Sequence, residues 1–336
     1  MLHVGVIGAG RIGKVHAGHL AGRIPRARLC VIADISEDAA RACAARLGVP
    51  RAAGDYRSVL DDPEIDAVVV CSSTDTHARI IEEAAHAGKQ IFCEKPIDHD
   101  LTKIRRALDA VARAGVKLQI GFNRRFDANF ARARRAIADG EIGALHLLHI
   151  ISRDPAPPPI PYIKVSGGIF LDMTIHDFDM ARFLTGAEVE EVYTAAGVLV
   201  DPAIGAAGDL DTAVIVLKFA NGVIGTIDNS RRAVYGYDQR VEVLGSAGGL
   251  RVDNNYPNAV LISDARSVRR DLPLNFFMER YTESFCTEMS AFVDAVLDDT
   301  PAPVTGHDGL VPVVMGIAAR KSHDEGRPVK LSEISA

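Results

Sequence analysis

Hydrophobic and polar positions repeat with two different periods along the first third of the chain, one typical of strands and one typical of helices. Short runs of β-branched and aliphatic residues predict strands at residues 2–7, 28–33, 66–71, 90–93 and 117–120. Alanine-rich amphipathic segments between them predict helices at residues 11–23, 36–47, 74–87 and 100–114, the last three of which end at glycines. This order is typical of a doubly wound α/β fold, in which helices cover a parallel sheet, and we expect it to close near Gly121.

The pattern changes after residue 121. A helix is predicted at residues 127–138, followed by alternating strands that include residues 212–219, 223–228 and 240–244. The turn Asn221-Gly222 indicates a hairpin, and two helical segments at 277–297 and 307–321 follow. We therefore predict a Rossmann-type domain at residues 1–122. A second, α+β domain with a large, mostly antiparallel open sheet should occupy residues 123–336.

One polar pair stands out in the segment 167–179, which otherwise has the apolar spacing of a helix. Asp172 and His176 lie four residues apart and would share one helix face. Burying a carboxylate and an imidazole without hydrogen-bond partners costs free energy, so a buried pair at this position should have a function that offsets the cost. General-base catalysis is one such function. A capped, solvent-exposed helix turn is the simpler interpretation of the pair taken alone.

Composition and charge argue against several classes of function, such as nucleic-acid binding. The chain has 336 residues, 48% of them hydrophobic, and a formal net charge of -6, which provides no basic field for a nucleic acid. The N-terminus carries no leader-like sequence, and no apolar run is long enough to suggest a membrane span. The five cysteines include no C-x-x-C pair, which is typical of a reducing compartment. We expect a cytoplasmic protein that binds small molecules.

A G-x-G-x-x-G pattern lies between the first predicted strand and the first predicted helix. Its expected cofactor contacts are Gly8, Gly10, Arg11, Ile12 and Gly13. Glycines in this context allow a tight turn and close approach of a pyrophosphate to the helix N-terminus. Asp34, at the end of the second strand, would bind the adenosine ribose hydroxyls and repel a 2′-phosphate, which favours NAD over NADP. Capping of the next helix is the alternative role for Asp34.

Polar side chains also follow two other predicted strands at the same sheet edge, where open sheets bind ligands. They are Ser72, Ser73, Thr74 and His77 after one strand, and Glu94 and Lys95 after the next. We assign all six to the cofactor site. For His77, a place on the helix surface is an equal alternative.

Taken together, the glycine pattern, the Glu94-Lys95-Pro96 turn, the segment 121–126 and the glycine-pair segment with Asp172 and His176 resemble the Gfo/Idh/MocA oxidoreductases over essentially the whole chain. The segments 152–155, 166–173 and 176–182 are most similar to the inositol 2-dehydrogenase branch of that family. The resemblance implies NAD as cofactor and oxidation of an inositol, with myo-inositol converted to its 2-keto product.

The resemblance also implies roles for three residues. His176 would act as the general base that takes a proton from a ring hydroxyl, a task suited to neutral imidazole. Lys95 would donate a hydrogen bond to the reacting oxygen. Asp172 would either orient His176 or bind a neighbouring hydroxyl, and the sequence leaves both roles open.

Because a polyol offers many hydrogen-bonding groups, further polar residues should contact it. The candidates are Asn123, Asp154, Tyr235 and Tyr281. For the two tyrosines, ordinary packing is the favoured alternative. The proline-rich segment 155–161 is either a lid over the site or a rigid connector.

Other functions are possible for such a chain. It could oxidise an aldose or another polyol, or it could be a cofactor-sensing regulator that has lost the chemistry. We expect no metal site at Asp172, His176, Asp177 and Asp179, because neighbouring residues on a helix point in different directions. Strand residues 213–217 are apolar on both faces, which predicts a homo-oligomer, either a tetramer or a dimer.

Overall fold

The computed structural model describes residues 1–334 and divides the chain into two compact units. The first unit contains residues 1–126 and 283–313, and the second contains residues 127–282 and the segment after residue 313. Within the described residues, no helix has the length and apolar character needed to cross a bilayer.

The first unit is built on a six-stranded parallel sheet. Its strands are β1 (Leu2–Ile7), β2 (Ala27–Ala33), β3 (Arg51–Ala53), β4 (Ala67–Val70), β5 (Gln90–Glu94) and β6 (Leu118–Gly121). The strand order is β3-β2-β1-β4-β5-β6, and every neighbouring pair is parallel. The order reverses between β1 and β4, and such a switch point is where open α/β sheets bind their ligands.

Helices connect these strands, and the amphipathic pattern predicted all of them except the short helix at residues 57–60. They are α1 (Arg11–Gly22), α2 (Glu37–Leu47), α3 (Arg57–Leu60), α4 (Thr74–His86) and α5 (Leu101–Ala114). Ser36 caps α2 by accepting a hydrogen bond from the Ala39 amide, and Gly48 ends that helix in the left-handed conformation. Local capping thus explains where the helix begins and ends.

The segment 283–313 of the first unit lies far from the rest of that unit in sequence. Helix α12 (Thr282–Leu297) buries Met289, Phe292 and Val293 in the same hydrophobic core as strand residues of β1 and β4. The sequence-based division assigned everything after residue 122 to the second domain. That division differs from the structure here, because burial of these apolar side chains draws a late helix back to the first unit.

The second unit contains a seven-stranded mixed sheet. Its strands are β7 (Leu145–Arg153), β8 (Val189–Gly197), β9 (Thr212–Phe219), β10 (Ile224–Ser230), β11 (Asp238–Gly245), β12 (Gly248–Val252) and β15 (Val329–Lys330), while β13 (Ile262–Ser263) and β14 (Val268–Arg269) pair separately. The order is β12-β11-β7-β10-β9-β8-β15, and only β7 with β10 is parallel among the pairs the structure describes. The predicted mostly antiparallel sheet is confirmed.

The remaining helices belong to this unit or end in it. They are α6 (Ala128–Ala138), α7 (Ile160–Ile163), α8 (Gly168–Asp172), α9 (Ile175–Thr185), α10 (Pro202–Ala206), α11 (Phe277–Arg280) and α13 (Gly306–Glu325), the last of which continues from the first unit. The single helix predicted at 277–297 is two helices that meet at Tyr281.

The predicted helix through Asp172 and His176 is wrong in one respect. Asp172 is the last residue of α8 and His176 is the second residue of α9, and Met173 and Thr174 lie between the two helices. The Thr174 amide donates to the carbonyl of Ile169, five residues back, rather than four. The Thr174 hydroxyl also donates to Asn229 Oδ1 at 2.6 Å, so a bond to the sheet helps break the helix.

Candidate active site

The glycine loop after β1 has the close contacts that its sequence pattern predicted. A Cβ atom at Gly8, whose φ is +106°, would lie 2.5 Å from the Cys71 carbonyl, and one at Gly13 would lie 1.9 Å from Gly8 O. At Gly10, which precedes α1, nothing lies within 4 Å of the Cβ position. Gly8 and Gly13 therefore make the turn possible, and the space beside Gly10 fits a pyrophosphate approaching the amides of Arg11, Ile12 and Gly13.

Asp34 is fixed beside this loop. Its Oδ2 accepts a hydrogen bond from the Ala9 amide at 2.6 Å, and its Oδ1 accepts one from the Ser36 amide at 2.8 Å. Ser36, not Asp34, is the N-cap residue of α2, so capping of that helix does not explain why a carboxylate occupies position 34. The half-exposed carboxylate retains lone pairs for ribose hydroxyls, as the NAD fingerprint requires.

The loop from β4 into α4 carries the next set of predicted cofactor residues. Ser73 precedes α4 without a side-chain capping bond, Thr74 begins the helix, and Ser72 shares a 2.7 Å hydrogen bond with Thr76. His77 differs from the prediction, because its ring is buried. Its Nδ1 lies 2.8 Å from Pro96 O and its Nε2 lies 2.9 Å from Ser72 O, so both ring nitrogens face the protein rather than a cofactor.

Glu94 and Lys95 lie at the carboxyl end of β5. The Glu94 side chain is turned inward, with Oε1 2.7 Å from His16 Nε2, and only 12% of it is exposed. Lys95 is half-buried and follows directly. Asn123, in the turn after β6, is buried, and its amide nitrogen has no hydrogen-bond partner among the described residues, as expected for a group that binds a ligand.

In the second unit, the only parallel strand pair of the described sheet brings two charged residues together. Ser230 of β10 is in register with Arg153 of β7, so Asp154 and Arg231 leave the sheet side by side at the same edge. The Arg231 guanidinium is 2% exposed. Its Nη1 donates to Asp172 Oδ2 at 2.9 Å and lies 3.8 Å from Asp154 Oδ2, while its Nη2 lies 3.8 Å from Asp209 Oδ2.

This arginine is held in its charged form. Burial opposes the charge, but the carboxylates of Asp172, Asp154 and Asp209 outweigh it and raise the pKa of Arg231. Asp209 in turn accepts a hydrogen bond from the Ile169 amide at the start of α8, at 2.9 Å. Arg231 thus links the strand edge to both ends of the short helix that carries Asp172.

The proline-rich segment leads to a residue that contacts Asp172. Pro159 precedes α7, and the hydroxyl of Tyr162 on that helix donates to Asp172 Oδ1 at 2.9 Å. Tyr162 is 48% exposed. Both oxygens of Asp172 therefore accept hydrogen bonds from within the unit, one from an exposed tyrosine and one from a buried arginine.

His176 is half-buried at the start of α9, and neighbouring residues fix that end of the helix. The Asn229 amide donates to Asp177 Oδ2 at 2.9 Å and to Ser152 O at 3.2 Å. The side chain of Asn229 also accepts the hydroxyl bond of Thr174 described above. All four residues bonded in this way are fully buried, which anchors the helix end to the sheet.

The two predicted substrate tyrosines have other partners. The Tyr235 hydroxyl donates to Asp238 at 2.6 Å and accepts from Arg153 at 3.1 Å, in a network within the sheet. Tyr281 is 2% exposed and packs edge-on against Tyr237 with ring centroids 6.0 Å apart. The packing alternative describes both residues better than direct substrate binding does.

Two family models match this chain. The model described as "Oxidoreductase family, NAD-binding Rossmann fold" matches residues 2–122, and the model described as "GFO/IDH/MocA C-terminal domain" matches residues 130–251. The chain belongs to the Gfo/Idh/MocA oxidoreductase family. The predicted family, fold class and NAD cofactor are confirmed.

Similar members of the Gfo/Idh/MocA family include inositol dehydrogenases. Myo-inositol 2-dehydrogenase of Thermotoga maritima is 50% identical over 333 residues and is aligned over 99% of each chain. Inositol 2-dehydrogenase of Rhizobium meliloti is 47% identical over 328 residues, or 98% of each chain. The solved structure of scyllo-inositol dehydrogenase from Lactobacillus casei, with bound NAD(H) and scyllo-inositol, superposes with a TM-score of 0.92 at 30% identity and covers 99% of each chain.

Sequence reasoning missed three residues of this family member's site. Arg231 follows a strand that ends at the same edge as the predicted residue Asp154, but the parallel pairing of β7 with β10 was not predicted. Tyr162 directly follows the segment 155–161, which was treated only as a lid or connector. His16 follows the glycine pattern by three residues on α1, and a polar residue on the buried face of that helix was the available signal.

Cofactor choice by this Gfo/Idh/MocA enzyme should depend on the charge of Asp34. In Asp34→Asn, an oxygen remains to accept a backbone amide bond, but the repulsion of a 2′-phosphate is lost. We expect kcat/KM with NAD to fall about 10- to 100-fold, as for loss of hydrogen bonds to a charged group, and the preference for NAD over NADP to fall at least as much.

Steady-state kinetics with both cofactors checks this expectation. Asp38→Asn is the matched control, because its side chain is 94% exposed on the neighbouring helix. A preference that Asp34→Asn leaves unchanged would remove Asp34 from cofactor recognition.

Proposed function

We propose that this chain catalyses the NAD-dependent oxidation of a ring hydroxyl of an inositol, with myo-inositol and its 2-keto product as the favoured pair. The observation that carries the proposal is the cluster in which buried Arg231 holds Asp172 and Asp154 at one edge of the sheet. Oriented carboxylates accept hydrogen bonds from neighbouring hydroxyls, which is the chemistry that recognises a polyol. The names of the similar dehydrogenases support the same substrate class.

The reaction divides the work among three residues. His176 takes the hydroxyl proton as the carbon–oxygen bond gains double-bond character. Lys95 donates a hydrogen bond to the same oxygen and stabilises its developing negative charge. NAD, when bound, accepts the hydride from the carbon, so the alcohol loses one proton and one hydride and becomes a ketone.

Asp172 is assigned to substrate binding in this scheme. Arg231 and Tyr162 each donate to one of its oxygens, which holds the carboxylate in one orientation. A carboxylate oxygen accepts more than one hydrogen bond, so a substrate hydroxyl can add to these donors. Asp154 and Asn123 complete the proposed polar set, Asp154 through its carboxylate and Asn123 through its buried amide nitrogen.

The function is tested by following NADH formation with myo-inositol, scyllo-inositol, chiro-inositol and glucose in parallel. We expect turnover with at least one inositol and a kcat lower by about 100- to 10,000-fold in His176→Ala, the usual contribution of a general base. His86→Ala, at an exposed position on α4, is the control and should retain wild-type turnover.

Three outcomes would count against the scheme. Absence of NADH with every polyol would refute the enzymatic proposal and favour a cofactor-sensing role. Turnover of glucose alone would move the substrate to an aldose. Near-normal kcat in His176→Ala would remove that residue from the base role while leaving the enzyme intact.

We further propose that the chain forms a homo-oligomer, a dimer or a tetramer, through the outer face of the seven-stranded sheet. That face exposes large apolar side chains on five neighbouring strands, namely Leu147, Tyr193, Val214, Val216, Ile224 and Leu244. Val216 is in register with Tyr193, and Leu147 is in register with Ile224 on one side and Leu244 on the other, so these apolar side chains neighbour one another across the sheet. A second copy of the same sheet offers an apolar surface of the same kind.

Light scattering should therefore give a mass of two or four chains. Val216→Glu places a charge among these apolar side chains and should shift the protein toward the monomer, whereas Ile35→Glu, at a position 98% exposed in the first unit, should not. A monomeric mass for the wild-type protein would contradict the proposal.

A further inference from the structure

Three titratable side chains of the first unit meet in a closed cluster beside Lys95. They are His16 on α1, Glu94 at the end of β5 and Glu288 on α12. His16 Nε2 lies 2.7 Å from Glu94 Oε1 and 3.9 Å from Glu288 Oε1. The side chains of His16 and Glu288 are fully buried, and the reaction scheme above uses none of the three.

Glu288 is the carboxyl of this cluster whose ionisation is opposed most strongly. Burial, and then the neighbouring Glu94 carboxylate, raise the pKa of Glu288 well above its usual range, because two carboxylates in a dry space do not both ionise. Neither oxygen of Glu288 has a hydrogen-bond partner among the described residues. Within the described residues, the hydrogen bond of the cluster is therefore the one between His16 Nε2 and Glu94 Oε1.

The His16 ring is fixed by its neighbours. It packs edge-on against Phe92, with centroids 5.0 Å apart, and against Phe285, with centroids 5.8 Å apart. Phe92 belongs to the same strand as Glu94, so the ring and the carboxylate it binds are held by one rigid element. A donor that cannot move makes a precise anchor for the residue it binds.

The other side of the Lys95 turn is held by a second buried histidine. His77 lies within hydrogen-bonding distance of Pro96 O, immediately after Lys95, and of Ser72 O at the end of β4. Lys95 is thus flanked by two anchored residues, Glu94 through His16 and Pro96 through His77. Its backbone has little freedom relative to the sheet edge.

We propose that His16 is a positioning residue for Lys95, acting through its hydrogen bond to Glu94. The proposal rests on the proposed function, in which Lys95 binds the reacting oxygen. Misplacing such a group by about 1 Å can reduce turnover about 100-fold. His16 therefore contributes to the reaction without touching substrate or cofactor.

A metal ion is the rival interpretation of the same cluster, since its three ligand atoms lie within 4.8 Å of one another. The 2.7 Å separation of His16 Nε2 and Glu94 Oε1 favours the hydrogen bond. Two ligands of a tetrahedral zinc ion, with bonds of about 2.0–2.1 Å, would lie about 3.3–3.4 Å apart. Metal analysis of the purified protein is part of the test, and one bound ion per chain would overturn the proposal.

The decisive experiment is a double-mutant cycle on kcat with His16→Leu and Lys95→Met. We expect His16→Leu to lower kcat about 10- to 100-fold while the Kd of NAD, measured by calorimetry, changes less than about 3-fold. In the Lys95→Met background, His16→Leu should cause no further loss, because the residue it positions is gone. Losses that multiply in the double variant would show a general structural role and overturn the proposal.

Two matched variants separate positioning from loss of folding. In His16→Gln, the side-chain amide can still donate to Glu94, so kcat should stay within about 3-fold of the wild-type value. His19→Leu, one turn further along α1, removes a buried histidine that does not contact the turn and should leave kcat unchanged. A loss in His16→Gln as large as in His16→Leu would contradict the proposed hydrogen bond.

Hydrogen exchange provides a readout that needs no substrate. Mass spectrometry should show faster exchange of the amides of Glu94, Lys95 and Ile97 in His16→Leu than in the wild-type protein or in His19→Leu. Unchanged exchange there would refute the positioning role. If the wild-type protein oxidised no polyol, the proposed function would fail, and this measurement would still decide whether His16 fixes the turn.

Discussion

Arg231 is a buried cation with three carboxylates around it, and the polar site of the second unit depends on that arrangement. A buried guanidinium is tolerated only when opposite charges compensate for its lost hydration, and Asp172, Asp154 and Asp209 supply them. The compensation is mutual, because Asp172 and Asp209 also lie in mostly buried positions. Removing the cation would leave like charges facing one another.

The backbone around this ion cluster is shaped to make it possible. The parallel pairing of β7 and β10 brings residues 154 and 231 to one sheet edge, and the break between α8 and α9 lets Asp172 and His176 belong to different helices. Gly168, with a φ of +79°, allows the close approach of Asp209, since a Cβ atom there would lie 2.7 Å from the carboxylate oxygen. The parallel strand pairing, the break between the helices and the glycine thus all bring the charged side chains of this cluster together.

Much of the first unit was predictable because its signals are local. Strand and helix periods, the glycine spacing and the position of Asp34 all depend on residues near one another in sequence. The assignment of α12 to the first unit was not predictable in this way, since it follows from long-range burial of Met289 and Phe292. The break at Thr174 was also hidden, because it depends on Asn229, 55 residues later.

The candidate site shows the same division. The roles of Lys95, Asp172 and His176 came from a family resemblance, and Asp154 was proposed from the expected chemistry of a polyol. Arg231 and His16 were missed, because neither belongs to a sequence motif. Their proposed roles depend on the side chains that they bind in the folded structure. Tyr235 was misplaced for the converse reason, since a polar residue near a predicted site can be fully engaged in the sheet, as its bonds to Asp238 and Arg153 show.

The central claim is that Arg231 and the carboxylates around it stabilise one another as a unit. Urea unfolding of the wild-type protein, Arg231→Met, Asp172→Asn and the double variant measures this directly. We expect Arg231→Met alone to reduce the free energy of unfolding by about 3–5 kcal/mol. The double variant should be more stable than the sum of the single effects by about 1–3 kcal/mol. Effects that add to within about 0.5 kcal/mol would show that the two side chains act independently and would contradict the account.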